Sequence, residues 1–186
     1  MELLISGVLI WSFVHLIPSV VPPFKQKWKA LLGETGYKLS FTVLLLISLA
    51  LIIFGWRSSA PSYLYQLPEF VRHLAMLLVL IAFILLGAAN YPSRIGNVIR
   101  HPMLTGVLVW AIAHLLVNGD SRSILLFGGM GVWAALEIIF INRRDAEWVK
   151  KPAPGWGLEI RGLIISFVIF AVVVMIHPYM TGVAIR

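Results

Sequence analysis

The chain contains no cysteine, which excludes disulfides, thiolate nucleophiles, cysteine-held zinc or iron–sulfur centres, and covalent haem attachment through a C-x-x-C-H motif. Any metal must be held by histidine, carboxylate or thioether. Charge is scarce too, at 12% of residues against an apolar fraction of 60%. A water-soluble domain of 186 residues with that balance would expose large apolar patches. Acidic side chains number only 8, against 15 Lys and Arg. No Ser-His-Asp order, paired carboxylates, H-E-x-x-H or glycine-rich phosphate loop occurs, so a hydrolase has no support. The opening Met1-Glu2-Leu3-Leu4 lacks the cationic start of a secretory signal, and no small-residue cleavage site follows its apolar run, which reads as a retained first span.

What the chain does have is long apolar runs, at about 3–21, 37–56, 70–89, 103–118, 123–141 and 162–179, each near the length that crosses a hydrocarbon core of roughly 30 Å. They predict an all-α polytopic membrane helix bundle of about six transmembrane helices, one domain over 1–186, with the lipid bilayer as its solvent. Between the first two runs, Phe24, Trp28 and Leu31–Leu32 share one helical face and lysines lie opposite, which predicts a short interfacial helix. Lys25, Lys27, Lys29, Lys38, Arg94, Arg100, Arg143, Arg144, Lys150, Lys151 and Arg161 fall on one side of the alternating connections, and Arg57, Arg72, Arg122 and Arg186 on the other. The positive-inside rule then puts the 22–36, 90–102 and 142–161 connections in the cytoplasm and both termini outside. The basic charge is a topology signal facing anionic lipid, and nucleic acid is not an expected partner.

Gly7-Val8-Leu9-Ile10-Trp11-Ser12-Phe13-Val14-His15-Leu16 in the first run is echoed by Gly106-Val107-Leu108-Val109-Trp110-Ala111-Ile112-Ala113-His114-Leu115 in the fourth. Gly33-Glu34-Thr35, Phe41 and Ile52-Ile53-Phe54 find counterparts in Gly119-Asp120-Ser121, Phe127 and Ile138-Ile139-Phe140, and a fainter match links the third run with the sixth. Three spans is an odd number, so the second unit enters the membrane from the opposite side. The pattern predicts a 3+3 inverted repeat, over 1–90 and 100–180, about an axis in the membrane plane.

Under that symmetry His15 and His114 are mates, at depths differing by on the order of 10 Å at ~1.5 Å per residue, a gap across which two imidazoles share one metal centre. An ionisable side chain at such depth costs a few kcal/mol unless it is paired. The pair therefore binds a ligand, relays protons, or fastens helices through a hydroxyl such as Ser12 or Thr105 or a backbone carbonyl. Trp11 and Trp110 lie one turn before each histidine, flat surfaces suited to walling a planar cofactor. With no cysteine and no further zinc ligands, b-type haem fits His15 and His114 better than zinc. His73 and His177, at outer span ends, read as surface or interface histidines. Arg100-His101-Pro102 opens the fourth helix, where free N–H groups, with Arg94 and Arg100 nearby, favour an anion. Glu137 is expected to snorkel toward Arg144 or Asn142.

The run Arg100-His101-Pro102-Met103-Leu104-Thr105-Gly106, then Leu108-Val109-Trp110, His114 and Asn118-Gly119-Asp120, resembles the signature of NnrU proteins, small bacterial membrane proteins associated with nitrite and nitric oxide metabolism in denitrification. Phe13-Val14-His15 and Gly33-Glu34 extend the likeness over nearly the whole chain. The resemblance implies a multi-pass protein of the bacterial inner membrane. It also brings in the plant and cyanobacterial 15-cis-zeta-carotene isomerases, similar in these motifs, which use b-type haem with histidine ligation to isomerise a polyene. On that likeness His15 and His114 are the haem ligands, His101 substitutes for either, and the substrate is a lipophilic small molecule. More distant relatives are membrane methyltransferases of the isoprenylcysteine carboxyl type, whose S-adenosylmethionine site uses an Arg-His-Pro element; Arg100, His101, Pro102 and Gly106 match it. Their paired Glu-Glu element is replaced here by Arg143-Arg144-Asp145-Ala146-Glu147-Trp148. A non-enzymatic membrane assembly factor is the remaining alternative.

Overall fold

The computed structural model describes residues 1–150 and 152–182; Lys151 and Arg186, both counted in the charge asymmetry, lie outside the described residues. The apolar runs fold as helices α1 (Glu2–Val20), α2 (Pro22–Ser58), α3 (Val71–Ala88), α4 (Pro102–Val117), α5 (Ser121–Arg144) and α6 (Trp156–Thr181). Five of them are long and apolar enough to cross a membrane. The sixth, α4, is also apolar, but its 16 residues rise only about 24 Å. Leu9, Phe13, Leu46, Phe54, Phe167 and Met175 are exposed on these helices, as expected of side chains whose solvent is lipid.

Helix α2 contains a break. Gly33 adopts φ 70° and ψ 172°, a conformation essentially reserved to glycine, and it separates the segment that carries Phe24 and Trp28 from the span proper. The helix expected from the pattern over that segment is present. Trp28 then packs back onto Tyr37 (ring centres 5.1 Å) and reaches Phe41 (6.5 Å). Nothing lies within 4 Å of a side chain added at Gly33, so a substitution there meets only torsional strain. Gly33→Ala should cost about 1–3 kcal/mol, read as a drop of several degrees in thermal unfolding in detergent, and an unchanged midpoint would show that the break relaxes freely.

Alternate connections gather at two ends. At the basic end Arg144 donates to the Pro18 carbonyl (3.2 Å), the Arg94 N–H donates to Glu159 Oε2 (2.9 Å), and Arg100 reaches the carbonyls of Asp145 and Glu147. At the opposite end the extended 59–70 segment lies across the 118–121 turn, where Leu64 N–H donates to the Gly119 carbonyl (2.7 Å) and Ser121 N–H to the Ser62 carbonyl (2.9 Å). In the membrane plane α1 packs on α2 and α5, α4 on α5 and α3, and α3 also on α6. At the α1–α2 crossing a Cβ on Gly55 would collide with the backbone of Leu3 and Leu4. Small residues let helices approach where lipid supplies no hydrophobic drive.

The two halves are alike locally, each bringing its first two helices together. Their wider packing differs: α3 lies against α4, while α6 against α1, the pairing an exchange of halves requires, is not among the principal contacts.

Candidate functional site

His15 sits on α1 where that helix faces both α2 and α5. Its ring neighbours are Trp11 (4.6 Å between centres), Trp133 (4.9 Å) and Phe41 (5.6 Å). Its Nδ1 lies 2.9 Å from the Trp11 carbonyl. A carbonyl only accepts, so Nδ1 carries the proton and Nε2 keeps its lone pair.

His114 on α4 repeats the arrangement, with Nδ1 2.9 Å from the Trp110 carbonyl and the Trp110 ring at 4.8 Å. Phe127 stacks on it at 4.4 Å and 27°. Phe41 and Phe127, mates in the sequence repeat, thus play the same part in the two cages. Phe127 lies in a π-helical turn, Ile124–Gly128, inside α5, an irregularity found often at functional sites.

The cages share no residue. The helix between α1 and α4 is α5, which presents Phe127 to one histidine and Trp133 to the other. The imidazole that does approach His114 is His177 of α6, with ring centres 6.5 Å apart and planes tilted by 40°. His177, half-buried where α6 meets α4, is thus of the interface kind that its place at a span end leads one to expect. The Thr181 hydroxyl donates to the His177 carbonyl (2.9 Å) and stands 3.4 Å from His177 Nδ1. With its own hydrogen spent on the carbonyl, that oxygen is placed to accept a long bond from Nδ1–H, the tautomer that would leave Nε2 of His177 available. His73 is exposed, as expected.

The Arg-His-Pro element serves as a fastening. Pro102 is the first residue of α4. Arg100 is occupied by the carbonyls of Asp145 and Glu147, His101 Nε2–H donates to Asn142 Oδ1 (2.8 Å), and the Arg94 guanidinium lies 4.2 Å from the centre of the Trp156 ring. Arg144 grips Asp145 through two bonds of 2.9 and 2.8 Å, which holds the Asp145 carboxyl below the usual carboxylate range. Glu137 does not snorkel. It is buried against α1, where it accepts from the Ser19 hydroxyl, because its position on α5, one turn beyond Trp133, faces the bundle. Among the described residues no group of three or more histidines and carboxylates is placed to hold a metal ion.

The model of one protein family, described as NnrU protein, matches residues 3–185. The chain belongs to the NnrU family. No curated protein and no solved structure matches it. For this NnrU-family chain the sequence signature marks both histidines, Trp110 and Arg100-His101-Pro102, and the internal echo adds Trp11. It did not mark Trp133 or His177. Trp133-x-x-x-Glu137 repeats the Trp-x-x-x-polar spacing of Trp11/His15 and Trp110/His114, which was a usable signal. For His177 no signal was present, since only the packing of α6 brings it to α4.

Proposed function

We propose that this NnrU-family membrane protein binds haem b, which His114 and His177 would hold. The observation that carries the reading is the 6.5 Å separation of the two rings. A metal about 2.0–2.1 Å from one nitrogen of each of two imidazoles puts the ring centres roughly 6 Å apart. The donor set fits the group: each ring is anchored through Nδ1, leaving Nε2 as a ligand, and the anchoring bond is of the kind that orients metal-ligating histidines. The His15 cage holds no second imidazole, so the pair implied by resemblance, His15 with His114, has less support than His114 with His177.

Trp110 and Phe127 wall the site with flat apolar surface. Bound there, haem supplies one-electron and ligand-binding chemistry, suited to the nitrite and nitric oxide metabolism that the resemblance implies or to a conjugated lipophilic substrate. The basic end faces the cytoplasm of a bacterial inner membrane on this reading, and the haem lies toward the other side. Methyl transfer from S-adenosylmethionine finds less support, since Arg100 is already engaged by two carbonyls.

The test is the absorption spectrum of protein purified in detergent from haem-replete cells. A Soret band with haem and protein near equal amounts supports the proposal. Colourless protein overturns it and leaves the histidines as fastenings between helices.

A further inference from the structure

A second feature lies away from both histidine cages. Toward the basic end a cleft of about 510 Å³ opens between α3 and α6, a size typical of ligand pockets. Its walls are Phe83 and Leu86 of α3 and Ile165 and Ile169 of α6, and the rim carries Arg161, Asn90 and Tyr91. The walls are apolar and the polar atoms sit at one end, the distribution of an amphiphile and not of a water-soluble metabolite. The α6 wall residues Ile165 and Ile169 are both exposed, so the cleft opens onto the acyl chains of the bilayer.

Arg161 sets the charge of the occupant. It is exposed, and among the described residues it has no ion pair and no hydrogen bond. The nearest acidic residue along the helix, Glu159, is only 4% exposed and accepts from the Arg94 N–H, so it does not neutralise the mouth. Beside Arg161 the Tyr91 ring is pressed onto Gly162, where a Cβ would collide with it. Burial, then the Glu159 charge, pushes the Tyr91 hydroxyl up from its ordinary value, so it stays protonated and able to donate. Asn90 spends one amide hydrogen on the Leu86 carbonyl (2.7 Å) and keeps another. Three donors, one of them cationic, thus surround the mouth at the level where the interfacial end of a lipid would lie.

We propose that the α3–α6 cleft is a binding site for an anionic phospholipid of the surrounding leaflet, with an acyl chain between Phe83 and Ile169 and the phosphate on Arg161. Charge complementarity selects the lipid: phosphate oxygens match a guanidinium in paired hydrogen bonds, and anionic lipids are attracted to basic membrane-facing sites.

The probe is spin-labelled phosphatidylglycerol in nanodiscs of phosphatidylcholine that hold the full chain, with spin-labelled phosphatidylcholine as reference; electron paramagnetic resonance reads the immobilised fraction. The wild type should prefer the phosphatidylglycerol label by roughly tenfold, the worth of a charge-assisted contact. Arg161→Gln should bring the two labels level while chain immobilisation persists, Arg161→Lys should keep part of the preference, and Ile165→Trp, at an exposed position, should release both labels. Unchanged selectivity in Arg161→Gln would assign the preference to the basic end at large and overturn the site. Equal displacement of the label by a neutral long-chain alcohol and by unlabelled phosphatidylglycerol would overturn the anionic occupant. Circular dichroism of each variant confirms its fold, and none of these readings depends on haem.

Discussion

Replacing His114 and His177 together by alanine should leave the purified protein without the Soret band that the proposed haem would give, while His15→Ala should retain it in full. The asymmetry follows from the neighbours of each ring: His114 has a second imidazole 6.5 Å away, whereas His15 is enclosed by Trp11, Trp133 and Phe41. His177→Ala alone should keep haem in part and change its spectrum from a low-spin toward a high-spin form, because His114 would remain to hold the group. Imidazole in the buffer should restore the low-spin form. The opposite pattern, with His15→Ala colourless and His177→Ala unchanged, would return the iron to the pair that the repeat suggested and sink the His114–His177 assignment.

The reason the sequence does not reveal His177 as a neighbour of His114 is physical. Hydropathy and the period of a helix report where a chain enters and leaves the bilayer, and the run boundaries, the interfacial segment ending near Gly33 and the clustering of basic residues at one end all reappear in the fold. Lateral order is set by which surfaces interlock, and nothing in a one-dimensional pattern of Leu, Ile and Val encodes that. Trp11/His15 and Trp110/His114, which echo each other in the sequence, share one local arrangement, a 2.9 Å bond from the ring to a tryptophan carbonyl. Likeness of motif does not entail adjacency, and α5 stands between the two. Arg100 teaches the same lesson: its side of the membrane follows from loop charge, but its engagement with Asp145 and Glu147 depends on where the chain after α5 comes to rest.

The second large effect is expected at the end away from the basic connections. Arg122→Leu should destabilise the protein by about 3–5 kcal/mol, as when one member of a buried ion pair is removed, roughly ten degrees in unfolding midpoint for a chain of this size. Arg122 donates to the carbonyls of Trp56 (3.3 Å) and Ser59 (3.2 Å) at the end of α2 and lies 4.6 Å from the centre of the Trp56 ring. Its Nε is 3.6 Å from Asp120 Oδ1, with the two side chains only 19% and 10% exposed. Asp120 in turn caps α5, accepting from the N–H groups of Arg122 and Ser123 and from the Ser123 hydroxyl at 2.6 Å. One cluster therefore holds the close of α2, the opening of α5 and the segment between α2 and α3.

Burial works to raise the Asp120 carboxyl, but the bonds from Ser123 and Arg122 outweigh it and hold it below its ordinary value. A carboxyl whose folded value lies below its unfolded one contributes fully above the ordinary carboxylate range and loses that contribution as pH falls through the lowered value. Asp120→Asn should accordingly flatten the acid side of the stability profile. The double variant Asp120→Asn, Arg122→Leu should lose less than the two single losses added together. Strict additivity would show that Asp120 and Arg122 act independently.

The wide turn at Ile124–Gly128 carries a consequence for the phase of α5. A π-turn accommodates one residue more than an α-turn, and each residue turns a helix by about 100°. Phe127 lies within that turn and Trp133 and Glu137 beyond it, so the surplus residue decides which compass point the lower half of α5 presents once the upper half is docked. Shortening the turn by one residue would restore a regular helix while rotating the indole away from α1 and carrying the carboxyl out of reach of Ser19. The two histidine cages keep their registration because this helix is locally irregular.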